Sequence, residues 1–239
     1  MPDLTTYEVE DGVAVLRLDR PKSRHAINTP MLEELLAHLA SARDDAEVRA
    51  LVISSTDHLS LSAGADVREE LDAEGRVRRM QLFADLYDAV VAFPKPTVAA
   101  CHGAVVGGGA EVAIACDVRV GGSNMRLRFP GASLGVPVGP ARLVTLCGLS
   151  VAKYLLIVGK EVAADEALRW GLVHKVAPAA KTENLAIELA ATCAAHPPEA
   201  VARLKAMLHE WDGVVERTSV EGRGQVQWQQ TGPGLPHDA

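Results

Sequence analysis

A mixed α/β core followed by a helical C-terminal part is the fold class this sequence predicts. Short apolar runs bounded by Gly, Pro and charged residues alternate with helix-period stripes over about the first 175 residues, which favours helices covering parallel-type strands. The remaining stretch carries helical stripes and no further strand pattern. With 239 residues, 48% of them hydrophobic and 23% charged, the chain is long enough to bury a sizeable core. The expected division is a core over 1–175 and, over 176–239, a helical subdomain ending in a polar tail.

The elements follow in order. Val13 to Leu18 reads as a strand between Asp11-Gly12 and Arg20-Pro21. Pro30 sits near a helix start, and Met31, Leu32, Leu35, Leu36 and Leu39 recur at helical spacing. Val48 to Ile53 is a second buried strand, and Ser54 to Ser62 reads as loop. Ala63-Gly64-Ala65-Asp66 leads into a charged helical segment. A second helical stripe runs from Met80 to Val91 and is closed by Pro94-Lys95-Pro96. Thr97 to Cys101 is a strand feeding Gly103 and Gly107-Gly108-Gly109. Ala110 to Cys116 is apolar enough for a buried helix, and Asp117 to Val120 is a strand. Two short helical patterns lie between Gly148 and Gly171, split at Gly159-Lys160. Leu172 to Val176 is a last strand. Ala186 to Ala195 and Pro198 to Leu208 read as helices, and Glu221 to Ala239 as a polar tail, ordered in part.

Composition excludes several functions. A net charge of −7 lacks the basic face of a nucleic-acid binder. Cys101, Cys116, Cys147 and Cys193 form no CxxC pair and are too few for a disulfide scaffold, so buried, reduced thiols are expected. The eight histidines show no HxxxH or HExxH spacing, so no metal site is expected. The first ten residues lack a basic start and apolar run, and no stretch of ~18 apolar residues is free of charge. A cytoplasmic protein with no membrane partner is the expectation.

Four motifs bear on chemistry. Gly131-Ala132-Ser133-Leu134-Gly135 matches a GxSxG nucleophile elbow, but that motif needs a strand before and a helix after it. Here the strand is weak, and Pro137, Gly139 and Pro140 are read as excluding the helix. Gly103 to Gly109 is neither GxGxxG nor GxxxxGK, so a nucleotide phosphate loop has little support. A strand feeding glycines into a helix start instead offers unsatisfied N–H groups at a positive dipole end, fit to hold an oxyanion; a plain packing turn is the alternative. Ala63-Gly64-Ala65-Asp66 is a second such turn, with Asp66 placed as a helix N-cap or first-turn carboxylate. Two N–H groups from two turns converging on one carbonyl would form an oxyanion hole. Glu111 is an acid in the apolar run Ala110 to Ala115; there it must be paired or face a polar cavity, and burial would bring it toward a useful acid/base range. A carboxylate that merely stabilises the helix dipole is the alternative.

These residues resemble the crotonase, or enoyl-CoA hydratase/isomerase, superfamily over roughly residues 8 to 210. Arg20 to Asn28 resembles its RPxxxNAL segment, Leu61 to Val67 its FxAGAD motif, and Gly103 to Glu111 with Cys116-Asp117 its GxxxGGGxEL…CD signature. Gly159 to Val173 resembles its TGxxxxAxEAxxxGLV stretch. The resemblance implies a crotonase-like spiral of ββα units, helical at the C-terminus, in a homotrimer or a dimer of trimers. It implies an acyl-CoA thioester as ligand, with coenzyme A entering as part of the substrate and no other cofactor, and a role in fatty acid metabolism. The N–H groups of Ala65 and Gly108 would form the oxyanion hole and Glu111 would be the acid/base. Arg24, Ala26, Ala63, Asp66 and Val67 would contact the CoA moiety, with Lys22 or Arg24 near its phosphates.

One position departs from the family pattern. Its hydratases carry a second glutamate in a PE dipeptide before an LG pair, and Gly131 stands there. Hydration uses proton transfers that two carboxylates serve naturally. Ser133, Arg142 and His102 are the candidate replacements. The reading is a hydratase-like lyase with a single glutamate; the alternatives are a non-catalytic acyl-CoA binder, or a thioesterase or decarboxylase on the same scaffold.

Overall fold

Two sheets receive the chain in alternation. The computed structural model describes residues 3–232. The large sheet has the order β1 (Thr5–Glu10), β2 (Val13–Leu18), β3 (Ala50–Ser55), β5 (Thr97–Cys101), β7 (Val118–Gly122) and β10 (Lys175–Ala177). All pairs are parallel except β1 with β2. The small sheet has the order β4 (Ser60–Ser62), β6 (Ala104–Val106), β8 (Arg126–Arg128) and β9 (Val162–Ala163). A long strand enters the large sheet, a short strand enters the small one, and a helix returns: β3-β4-α2, β5-β6-α3 and β7-β8-α4 repeat this. That is the spiral of ββα units the sequence implied.

The long strands are buried nearly end to end, as a parallel sheet covered on both faces requires. On one face, α1 (Thr29–Asp44), α2 (Ala73–Val91) and α3 (Gly108–Ala115) pack Leu32, Leu35, Leu86 and Val112 over Leu16 and Ile53. On the other, α6 (Thr182–Ala194) lays Ala186, Ala190 and Ala194 on Val15, Val52 and Val98. Small residues every fourth position let that helix approach the sheet closely. α4 (Pro140–Ile157), α5 (Ala164–Arg169), α7 (Pro198–Asp212) and α8 (Val214–Thr231) are the remaining α-helices among the described residues.

Several readings need correction. The acidic N-terminal segment forms the edge strand β1, which alternation alone did not mark. Ser54–Ser62 is not all loop: it holds the end of β3 and all of β4. The charged segment and the Met80 stripe are one helix, and its N-cap is Asp72, which accepts from Gly75 N at 2.7 Å, rather than Asp66. Pro140 does not exclude a helix, because it occupies the first turn, where its missing N–H costs nothing. Of the thiols, Cys101 and Cys116 are buried, whereas Cys147 and Cys193 are only half-buried. The supposed polar tail is helix α8 through Thr231; residues 233–239 lie outside the described residues. α4 is long and apolar enough to span a membrane by length and composition. It is broken at Gly148, however, and tied into the fold through Arg142.

Candidate active site

The site is built where the two glycine turns meet. α1 and α2 each begin with a side-chain cap, Asn28 and Asp72. α3 begins on Gly107, at φ 51° and ψ −120°, with no side chain to satisfy its N–H groups. This backbone conformation suits glycine. The preceding strand ends beside Gly64, whose φ of 93° carries the chain past the same point. The two turns touch: a Cβ on Gly64 would lie 3.4 Å from Gly108 N and 2.8 Å from Val106 O. Among the described residues, no acceptor occupies Ala65 N or Gly108 N. Both predicted donors therefore lie unsatisfied in neighbouring turns.

Beside them lies a cavity of ≈ 280 Å³. Ala63, Gly64, Ala65, Val67, Gly107 and Gly108 line one side, and Met80, Phe83, Phe129, Leu134, Val136 and Val138 supply apolar wall. Among the described residues, Glu111 is the one carboxyl group lining it. Three larger grooves contain none of the predicted site residues: two, ≈ 400 and ≈ 530 Å³, border α7, and one of ≈ 320 Å³ lies between Val136, Pro140 and Trp228.

Glu111 stands in the first turn of α3, 1% exposed. Its Oε2 accepts from Arg142 Nη2 at 2.7 Å, so the acid is both salt-linked and beside the cavity. The same nitrogen donates to Glu221 Oε1 at 2.8 Å. Tyr87 packs its ring under the Arg142 guanidinium, 4.9 Å from centroid to Cζ. Burial pushes the Glu111 carboxyl up to about 7; the Arg142 charge opposes this and Glu221 adds to it. Burial, then the Glu111 charge, hold the Tyr87 hydroxyl well above its ordinary value.

The predicted CoA segment is assembled as one unit. Ile27 bridges Ala65, Ala63 N donates to Arg24 O at 2.9 Å, and Ser62 Oγ to His25 O at 2.8 Å. Ala63 and Val67 line the cavity; Arg24, Ala26 and Asp66 do not. Arg24 and Lys22 are exposed and Ala26 is buried. The Asp66 carboxylate pairs with Arg20 at 2.8 Å.

Of the three candidate replacements for a second acid, the structure brings only Arg142 to Glu111. Ser133 is exposed and donates to Pro130 O at 2.8 Å. His102 is buried against Ser55 Oγ at 2.8 Å, away from the cavity lining, and burial pushes it down to about 4. Gly131 does line the cavity, but a Cβ there would fall 2.4 Å from Val136 O.

Sequence reasoning missed Tyr87 and Arg79, and Gln225 and Glu221 on α8. A signal existed for the last two. Thr218, Glu221, Gly222 and Gln225 recur at i, i+3, i+4 and i+7, and all but Glu221 are buried. A stripe made of polar and small residues escapes a search for apolar periodicity.

The family model for enoyl-CoA hydratase/isomerase matches residues 8–229. The short-chain-enoyl-CoA hydratase of Clostridium acetobutylicum is 36% identical over 200 residues, covering 81% of this chain and 76% of that protein. The 2,3-dehydroadipyl-CoA hydratase of Escherichia coli is 35% identical over 208 residues, covering 84% and 80%. Among solved structures, an enoyl-CoA hydratase/isomerase from Xanthobacter autotrophicus superposes with a TM-score of 0.86 at 26% identity, covering 99% of this chain and 90% of that one. DspI from Pseudomonas aeruginosa gives 0.83 at 26% identity, covering 94% and 90%. Sequence, fold and the paired glycine turns agree: the chain belongs to the enoyl-CoA hydratase/isomerase family, within the crotonase superfamily.

Proposed function

We propose that this hydratase-like enzyme adds water to the double bond of an enoyl-CoA thioester with Glu111 as its single acid/base. The observation that carries the reading is a buried carboxyl, poised near 7, beside a cavity rimmed by two unsatisfied main-chain donors. The thioester oxygen accepts from Ala65 N and Gly108 N. The acyl chain lies against Phe83, Phe129 and Val138. Ala63 and Val67 meet the start of the CoA arm, with Arg24, Ala26 and Asp66 further along it.

The Glu111 carboxylate takes a proton from water as the water oxygen bonds to Cβ. The π electrons move onto the thioester as an enolate, held by the two N–H groups. The Glu111 carboxylic acid then returns the proton to Cα. One group acts as base and then as acid, so both protonation states must be within reach at working pH. Each oxyanion donor contributes about 3–4 kcal/mol of transition-state stabilisation in comparable sites.

The exposed apolar side chains of α4 and α7, among them Ile157 (71%) and Trp211 (75%), support a homotrimer or hexamer.

Glu111→Gln tests the reading. Hydration of crotonyl-CoA is expected to fall by about 10³-fold or more while the ester still binds. Unchanged turnover removes Glu111 from the mechanism. Mass spectrometry over a panel of acyl-CoA esters reads gain of water as support; release of CoA or loss of CO₂ in its place overturns hydration.

A further inference from the structure

Glu221 comes from the last helix, does not line the cavity, and yet reaches the acid that does. Its Oε1 accepts from Gly139 N at 3.1 Å and from Arg142 Nη2 at 2.8 Å, and its Oε2 accepts from Ala141 N at 2.8 Å. It is thus supplied by three N–H donors at the start of α4. Glu111 receives one, and that one is the nitrogen Glu221 shares. Among the described residues Arg142 makes no further side-chain hydrogen bond to either acid, and its Nε is buried without a partner.

The groups facing Glu111 come from every element packed around it. α4 brings Arg142 and the Cα of Gly139, where a Cβ would lie 2.8 Å from Glu111 Oε1. α2 brings Tyr87 and, on the Arg142 side, Asp88; Arg79 of the same helix lines the cavity and pairs with Glu69 at 3.5 Å. α8 brings Glu221. One positive charge therefore lies between two carboxylates, and an environment that treats two acids unequally separates their roles.

We propose that Glu221 is a positioning residue: by sharing Arg142 Nη2 it leaves Glu111 incompletely neutralised, so that Glu111 both takes and returns a proton within one turnover. A fully paired Glu111 would be held as carboxylate and would be the weaker base. The burial effect on Glu111 and the added push from Glu221 agree in sign with this geometry. The inference rests on the reading of Glu111 as the acid/base.

The test titrates Glu111 directly, by carbon-13 NMR of side-chain-labelled glutamate assigned through Glu111→Gln, alongside the pH profile of kcat/KM for crotonyl-CoA. In Glu221→Gln the Glu111 midpoint is expected to move down by about one pH unit, because the Arg142 charge is then no longer shared with a second carboxylate. The acid limb of kcat/KM follows it, and the plateau falls about tenfold as the base weakens. Glu221→Ala, which leaves the α4 N–H groups to water, carries the same sign and decides the matter if the first variant does not fold. A slower enzyme whose Glu111 midpoint stays in place overturns the proposal and leaves Glu221 as a structural tie. If the NMR midpoint moves and the kinetic limb does not, the coupling stands and the acid/base reading of Glu111 fails.

Discussion

On one side of the cavity, Glu111, Arg142 and Glu221 form a chain of charge, buried except at Glu221. On the other, Pro130, Gly131 and Leu134 present no titratable group at all. In the first wall Arg142 bridges the two carboxylates, and Glu221 takes two main-chain donors besides. The second is closed by its own backbone, with Val136 N donating to Gly131 O at 2.8 Å. The contrast teaches that a carboxylate absent at Gly131 is not simply a missing side chain. The turn has no room for one, and under the proposed function the acid/base work falls to the charged wall. Loss of Glu111 is the largest expected defect for that reason.

Breaking the cradle between the walls comes next. Gly64→Ala would set a Cβ 2.8 Å from Val106 O at a φ of 93°, displacing Ala65 N from Gly108 N. The rate constant for crotonyl-CoA hydration is expected to drop about 10²- to 10³-fold, as when one oxyanion donor is lost. A normal rate in a folded variant would show that the two turns need not meet. Gly131→Glu sharpens the comparison from the other side. Because Val136 O blocks its Cβ, the new acid is expected not to raise the rate and to destabilise the fold by about 1–3 kcal/mol, read by thermal unfolding. A faster enzyme would mean that the second wall accepts a carboxylate after all. The smallest effect belongs to Ser133→Ala. An exposed hydroxyl bonded only to Pro130 O is expected to leave turnover within about twofold, and a large loss would revive the nucleophile-elbow reading.

The two walls were not equally legible in the sequence. Gly107-Gly108-Gly109 and Glu111 stand in one contiguous stretch and Ala63 to Asp66 is a short motif of its own, so local chemistry pointed to them. The long strands announced themselves as apolar runs, whereas β4, β6 and β9 have two or three residues each, too few for any period to show. Arg142 entered as a candidate without a partner, since the contact spans 31 positions. Glu221 was hidden further. It belongs to a helix whose buried face is made of Thr218, Gly222 and Gln225, and the close approach of Gly222 to Ala84 replaces the bulky contacts that usually reveal such a face.

The most direct measurement is the pH profile of kcat/KM for the unaltered enzyme on crotonyl-CoA. Burial lifts Glu111 to about 7, and as the proposed base it must begin ionised, so the activity lost on acidification is expected to be lost in that range. A single-proton acid limb with its midpoint near 7 and a plateau above it is expected. A rate flat from about pH 5 to about pH 8, or a limb that needs two protons, would contradict a lone buried carboxyl as the group that runs the reaction.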